Sequence, residues 1–166
     1  MLIIVCGLPG SGKTTLAERL AKKIGAVHLS SDIIRKQMHP KPAYTEEEKR
    51  EVYVAMARKA QELVRGGGGV VLDATFYRRE YRAMMEAVAQ RNDERLYLIL
   101  CTISDEEARR RIGGRKGGPS DADFEVYLRL KEGFEPIDGD HLEIDFSLPE
   151  KEKMKRAFDY VGVTDG

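Results

Sequence analysis

Gly7-Leu8-Pro9-Gly10-Ser11-Gly12-Lys13-Thr14 matches the pattern G-x-x-x-x-G-K-[ST] in full. Each residue type has a physical use there. Glycines let the backbone curl until several N–H groups point at one phosphate. The helix that opens at Lys13 adds partial positive charge at the same place. Lys13 can reach the β- and γ-phosphates, and the Thr14 hydroxyl falls where Mg²⁺ is ligated. Gly7, Pro9, Gly10, Ser11, Gly12, Lys13, Thr14 and Thr15 therefore form the expected nucleotide-binding set, with Thr14 the metal ligand. The loop predicts nucleoside-triphosphate binding and is silent on what becomes of the phosphate.

Two acidic positions could say more. Asp32 and Arg35 lie three residues apart in Ser30-Ser31-Asp32-Ile33-Ile34-Arg35, on one face of a helix. A carboxylate beside a guanidinium suits phosphoryl transfer: Asp32 accepts the proton of an attacking hydroxyl and Arg35 holds a charged part of the acceptor. The alternative is helix capping, although Ser31 can cap and would leave Asp32 in the first turn. Asp73 closes the apolar run Val70-Val71-Leu72, as the Walker-B arrangement places a carboxylate near the metal; a polar turn starter is the plainer reading. Arg109-Arg110-Arg111 end a helix, and Arg115 follows Gly113-Gly114. The glycines suggest a flap over about 109–120 that brings Arg111 and Arg115 onto the transferring group. Arg78, Arg79 and Arg82 read as surface charge on a helix.

The elements that must position these residues alternate. Short apolar runs at 2–6, 27–29, 70–73 and 95–103 read as strands, and Leu142–Phe146 alternates as an edge or final strand does. Helices are predicted over about 13–24, from about 32, from the capping box Thr45–Glu48 to Gly66, over about 78–91, from Ser104 to Gly113, from Ser120 and Asp123, and from Ser147 to Val161. Val52, Met56, Ala60 and Leu63 share one face of the long third helix. Repeated strand–helix alternation predicts an α/β fold with a mainly parallel five-stranded sheet and helices on both faces. Ligands of such sheets bind beyond the carboxyl ends of the strands, which is where Gly7, Asp32 and Asp73 fall.

The 166 residues suit one domain, 1–166, and 42% hydrophobic residues can build its core. Lys+Arg and Asp+Glu are 28 each, which excludes a general basic coat for duplex nucleic acid but not a local patch. With no bilayer-length apolar run and no secretory leader, a cytoplasmic protein is expected, with no membrane partner and no protein partner inferable. Cys6 and Cys101 lie in apolar runs and read as buried thiols, while His28, His39 and His141 lack zinc-ligand spacing. A single Asn and three Gln among many charges are a composition found in thermophilic proteins.

The chain resembles the small P-loop kinases of the polynucleotide-kinase and zeta-toxin-like group. The resemblance rests on 7–17, 30–36, 69–82, 106–127 and 134–137 and covers nearly the whole chain. It implies a three-layer P-loop fold with an arginine-bearing lid, and ATP with Mg²⁺ as cofactors. It implies Asp32 as general base, Arg35 on the acceptor's neighbouring phosphate, Asp73 on the acceptor and metal side, and Arg111 and Arg115 on the phosphoryl group in transit. The adenine is expected against the lid and the loop before the last strand. No Asn-Lys-x-Asp guanine motif is present. The reaction so implied is phosphoryl transfer to a hydroxyl, with a polynucleotide 5′-OH as the first expectation. A small-molecule alcohol (a sugar, sugar acid, adenylyl sulfate or antibiotic) is the alternative, and a nucleotide-binding switch is the second alternative.

Overall fold

A computed structural model describes residues 1–113 and 123–164. Five strands, β1 (Leu2–Gly7), β2 (Val27–Ser30), β3 (Val70–Asp73), β4 (Leu96–Thr102) and β5 (Leu142–Asp145), form one sheet in the order β2-β3-β1-β4-β5. Every neighbouring pair is parallel; Ile4 lies opposite Leu72 on one side and Leu98 on the other. The helices are α1 (Lys13–Ile24), α2 (Ser31–Met38), α3 (Glu46–Arg65), α4 (Arg79–Arg91), α5 (Asp105–Gly113), α6 (Phe124–Glu132) and α7 (Glu150–Val161). The α/β expectation holds, with a fully parallel sheet.

β1 is buried along its whole length because successive side chains enter opposite cores. Leu2, Ile4 and Cys6 pack with Tyr53 and Met56 of α3 and Tyr81 and Met85 of α4. Ile3 and Val5 pack with Leu16 and Leu20 of α1 and Ala157 and Phe158 of α7. A third, smaller core joins Ala108 and Ile112 of α5 to Tyr127 of α6, with Leu8 of the phosphate loop against it. Cys6 and Cys101 are buried thiols, and burial pushes Cys6 up to about 12.

Three local details differ from the sequence reading. The α2 cap is Ser30, not Ser31: its side chain accepts from the Ile33 N–H at 3.5 Å, and Ser31 is already helical. On α3 the buried series runs Val52, Met56, Ala60 and Val64, and Leu63 is only partly covered. At the start of α3, Thr45 Oγ1 does accept from the Glu48 N–H at 3.2 Å, but the Glu48 carboxylate accepts from Ala43 N–H at 2.9 Å and Tyr44 N–H at 3.3 Å. It therefore ties down the preceding loop rather than closing a capping box on Thr45.

Candidate active site

The strand order turns the chain away from β1 toward β2 and later across to β4, so β1 sits at the reversal point where α/β sheets bind ligands. The phosphate loop leaves β1 there. Gly10 and Gly12 have φ of 82° and 79°, a left-handed geometry that glycine adopts without strain. Gly12 is also hemmed in: a Cβ on it would lie 2.4 Å from the Phe146 ring. Ser11 Oγ is buried with no hydrogen-bond partner among the described residues. An orphaned buried hydroxyl in a loop of curled backbone fits an anionic ligand such as a triphosphate. Arg111 of α5 closes in from the side, its Nη1 3.5 Å from where a Cβ on Gly12 would stand, and its Nε donates to Glu107 Oε1 at 3.0 Å. Arg110 also donates to Glu107, and its side chain is 77% exposed. Arg115 and the rest of the expected lid at 114–120 lie outside the described residues.

β2 and β3 bring the acidic residues to the same end of the sheet. Ser30 lies opposite Asp73 across the ladder. Asp32, in the first turn of α2, accepts from Arg35 Nη1 at 2.9 Å through its Oδ1. Arg35 Nε is buried and without a hydrogen-bond partner among the described residues, and the guanidinium carbon lies 5.4 Å from the Tyr44 ring centroid. Asp73 is buried, and its Oδ2 lies 3.0 Å from His28 Nε2. The oxygen donors Thr14 and Asp73 suit Mg²⁺, which keeps most of its waters and takes one or two protein oxygens beside phosphates.

Beside the phosphate loop opens a cavity of about 790 Å³ whose lining includes Lys13, Asp32, Arg35, Tyr44, Tyr77 and Arg129. Neither Asp73 nor Arg111 lines it, so the expected site residues do not all share this cavity. Tyr53 and Tyr81 stack at 3.9 Å, and Tyr77 meets Tyr81 edge-on at 5.6 Å. Burial pushes the Tyr53 and Tyr77 hydroxyls up, and the bond to Glu46 adds to this for Tyr77; both stay protonated. Tyr77 Oη donates to Glu46 Oε2 at 2.9 Å. At Glu46, burial raises the pKa, but the Tyr77 bond and the Lys49 and Arg78 charges outweigh it and hold the carboxyl below its ordinary value.

Arg82 is not surface charge. It is buried, and it donates to the Phe76 carbonyl at 2.7 Å, Glu135 at 3.0 Å and Pro136 at 2.8 Å. Its neighbour Arg79 is exposed as expected, and Arg78 lies on the cavity wall. Sequence reasoning missed Tyr53, Tyr77, Glu46 and Arg129. Tyr77 was within reach, because it follows the end of β3; Arg129 carried no signal, because α6 reaches the cavity only through tertiary packing.

A parallel sheet in this order, with a glycine-rich phosphate loop after its central strand, defines a protein with the small P-loop kinase fold. The chain belongs to the AAA domain family, whose pattern matches residues 2–137. It is similar to an uncharacterized protein of Mycobacterium tuberculosis (strain ATCC 25618 / H37Rv), 29% identical over 169 residues that take in 95% of this chain and 34% of that protein. The chain thus spans about a third of the length of the curated relatives it first matches. Among solved structures it resembles a sugar kinase from Janibacter sp. HTCC2649, with TM-score 0.78, 18% identity and coverage of 98% of this chain and 95% of that one. It also resembles the Mycobacterium tuberculosis APS kinase in complex with AMPPNP and APS, with TM-score 0.72, 18% identity and coverage of 97% and 96%. At these identities the structural likeness speaks for the fold. Among the described residues no helix is long and apolar enough to cross a membrane.

Proposed function

We propose that this protein is an ATP-dependent kinase that phosphorylates a hydroxyl of a small-molecule acceptor. The observation that carries the reading is the cavity of about 790 Å³, with Lys13 of the phosphate loop and the Asp32–Arg35 pair both on its wall. That volume falls within the range of about 300–1,000 Å³ usual for small-molecule sites. The similar solved structures named above include a sugar kinase and an APS kinase, which act on small molecules by their names. This favours the small-molecule alternative over the polynucleotide 5′-OH expected first. A lone hydrolysing switch is disfavoured, because it has no use for a carboxylate on the wall of a roomy cavity beside the phosphate loop.

The transfer balances as follows. The acceptor oxygen forms a bond to the γ-phosphorus of ATP while the bond from that phosphorus to the bridging oxygen breaks, and ADP leaves with the electron pair. Asp32 takes the acceptor proton on a carboxylate oxygen. Arg35 holds Asp32 in place. Lys13 and Arg111 stabilise charge on the phosphoryl oxygens, and Arg115 is assigned the same role from the sequence. Thr14 and Asp73 would hold Mg²⁺, which would supply charge neutralisation at the triphosphate. His28 orients Asp73.

The test is a screen of hydroxyl compounds and a 5′-OH oligonucleotide with γ-labelled ATP. A small molecule labelled by the native protein and not by Asp32→Ala supports the reading. Label on the oligonucleotide alone would restore the polynucleotide expectation. ATP hydrolysis with no labelled acceptor would favour the switch.

A further inference from the structure

The charges on the acceptor cavity do not cancel. Apart from Lys13, which belongs to the phosphate loop, the lining holds four cations (Arg35, Lys49, Arg78 and Arg129) and three carboxylates (Asp32, Glu46 and Glu135). The carboxylates are already engaged. Asp32 pairs with Arg35 at 2.9 Å; Glu46 lies 3.3 Å from Lys49 and 3.1 Å from Arg78; Glu135 lies 3.5 Å from Arg79. Arg129 is the lining cation that forms no ion pair among the described residues, and it is exposed.

Its position is set by the helix. Val126, Arg129, Leu130 and Gly133 line the cavity at intervals of three, four and seven, so one face of α6 forms the wall. Asp105 at the start of α5 fixes that face: Tyr127 Oη and Lys131 Nζ each donate to its Oδ1 at 2.7 Å. Tyr127 is buried among Ala108 and Ile112 beside it. An arginine on an anchored helix face, turned to a cavity and left without a carboxylate among the described residues, is arranged to receive an anionic group.

We infer that the acceptor carries a carboxylate or a phosphate besides its reactive hydroxyl, and that Arg129 is the residue that selects this anionic end. The inference rests on the small-molecule kinase reading above. The anion is taken by a guanidinium fork, so its oxygens accept two parallel N–H bonds. Arg35 is assigned instead to Asp32, which accepts from its Nη1.

The test uses three six-carbon compounds that differ in one end group: sorbitol, gluconate and sorbitol 6-phosphate. Binding is measured by calorimetry with the phosphate loop filled by a non-hydrolysable ATP analogue, and turnover by ADP release, for the native protein and for Arg129→Gln and Arg129→Lys. The expected result is tighter binding of gluconate, sorbitol 6-phosphate or both than of sorbitol. Arg129→Gln should weaken that binding by about 10–100-fold, the range of a charge-assisted pair, with sorbitol and the ATP analogue unaffected. Arg129→Lys should retain more affinity for a phosphate than for a carboxylate, which separates the two anions. Unchanged anion affinity in Arg129→Gln, or no preference of the native protein for an anion, overturns the assignment. Anion binding that depends on Arg129 without any transfer would leave the assignment standing and count against the kinase reading. Transfer to sorbitol alone would do the reverse.

Discussion

Arg82 Nη1 donates to the carbonyl oxygen of Phe76 at 2.7 Å, and Phe76 is a buried non-glycine residue with φ of 49°. The same residue's N–H donates to Tyr53 Oη at 2.9 Å. A left-handed phenylalanine persists only when both of its peptide groups are held, and here two side chains from different helices hold them. This turn carries Tyr77 and Arg78 from the end of β3 onto the cavity wall. Arg82→Ala removes three charge-assisted bonds to backbone carbonyls and should lower stability by about 3 kcal/mol, read as a shift in the urea midpoint. Arg82→Lys, with a point charge that cannot bridge three carbonyls, should recover only part of it. A midpoint unmoved by Arg82→Ala would show that the turn is held by other contacts.

The two ends of the site should separate in kinetics. Lys13→Ala is expected to weaken ATP binding at least about 10-fold, since a charge-assisted contact to phosphate is lost. Asp32→Ala should leave ATP affinity near native and lower kcat by about 10²–10⁴-fold, the usual worth of a general base. Equilibrium binding of a fluorescent ATP analogue, measured beside turnover, distinguishes them. Near-native turnover in Asp32→Ala would remove it from the base role.

Gly12 is constrained twice. Alanine there would meet the Phe146 ring at 2.4 Å and would have to hold φ of 79°. The conformational term alone costs about 1–2 kcal/mol. Gly12→Ala should therefore lose ATP binding and melt at a lower temperature. Phe146→Ala costs core packing of its own but removes the overlap, so the two losses in Tm should be less than additive in the double variant. Additive losses instead would mean that the ring does not crowd Gly12.

The loop wall carrying Tyr44 should be acid-sensitive. Burial raises the Glu48 pKa, but the Ala43 and Tyr44 N–H bonds and the His39 and Arg35 charges outweigh this and hold it below its ordinary value of 4.5. A carboxyl depressed in the folded state stabilises the fold fully above its unfolded pKa. That contribution is lost as pH falls through the folded pKa. Glu48→Ala should thus destabilise the protein at pH 7, and the gap from native should shrink as pH drops below about 4.5. Urea midpoints across pH 3–7 test this; a gap that stays constant would show that the carboxylate charge is not what the loop relies on.

The sequence alone determined the sheet and the phosphate loop and singled out Asp32, Arg35 and Asp73 as candidates, because these are local matters. Apolar runs of strand length, the glycine spacing of 7–14 and carboxylates just past strand ends are each written within about ten neighbouring residues. The cap at Ser30 rather than Ser31 was a one-residue miss, since either serine offers the same hydroxyl and only backbone geometry chooses between them. What the tertiary structure alone decided is which distant segments share the cavity. Arg82 looked like surface charge because its three carbonyl partners come from 76, 135 and 136, and no helical pattern reports them. Tyr53 and Tyr77 were not singled out by the sequence; the packing of α3 against the turn after β3 gives them their place. Arg129 gained a role only when Asp105 fixed α6 against α5 and turned one face of it to the cavity. A side chain's type is local, but the charge it must neutralise or leave open is set by whatever the fold places opposite it.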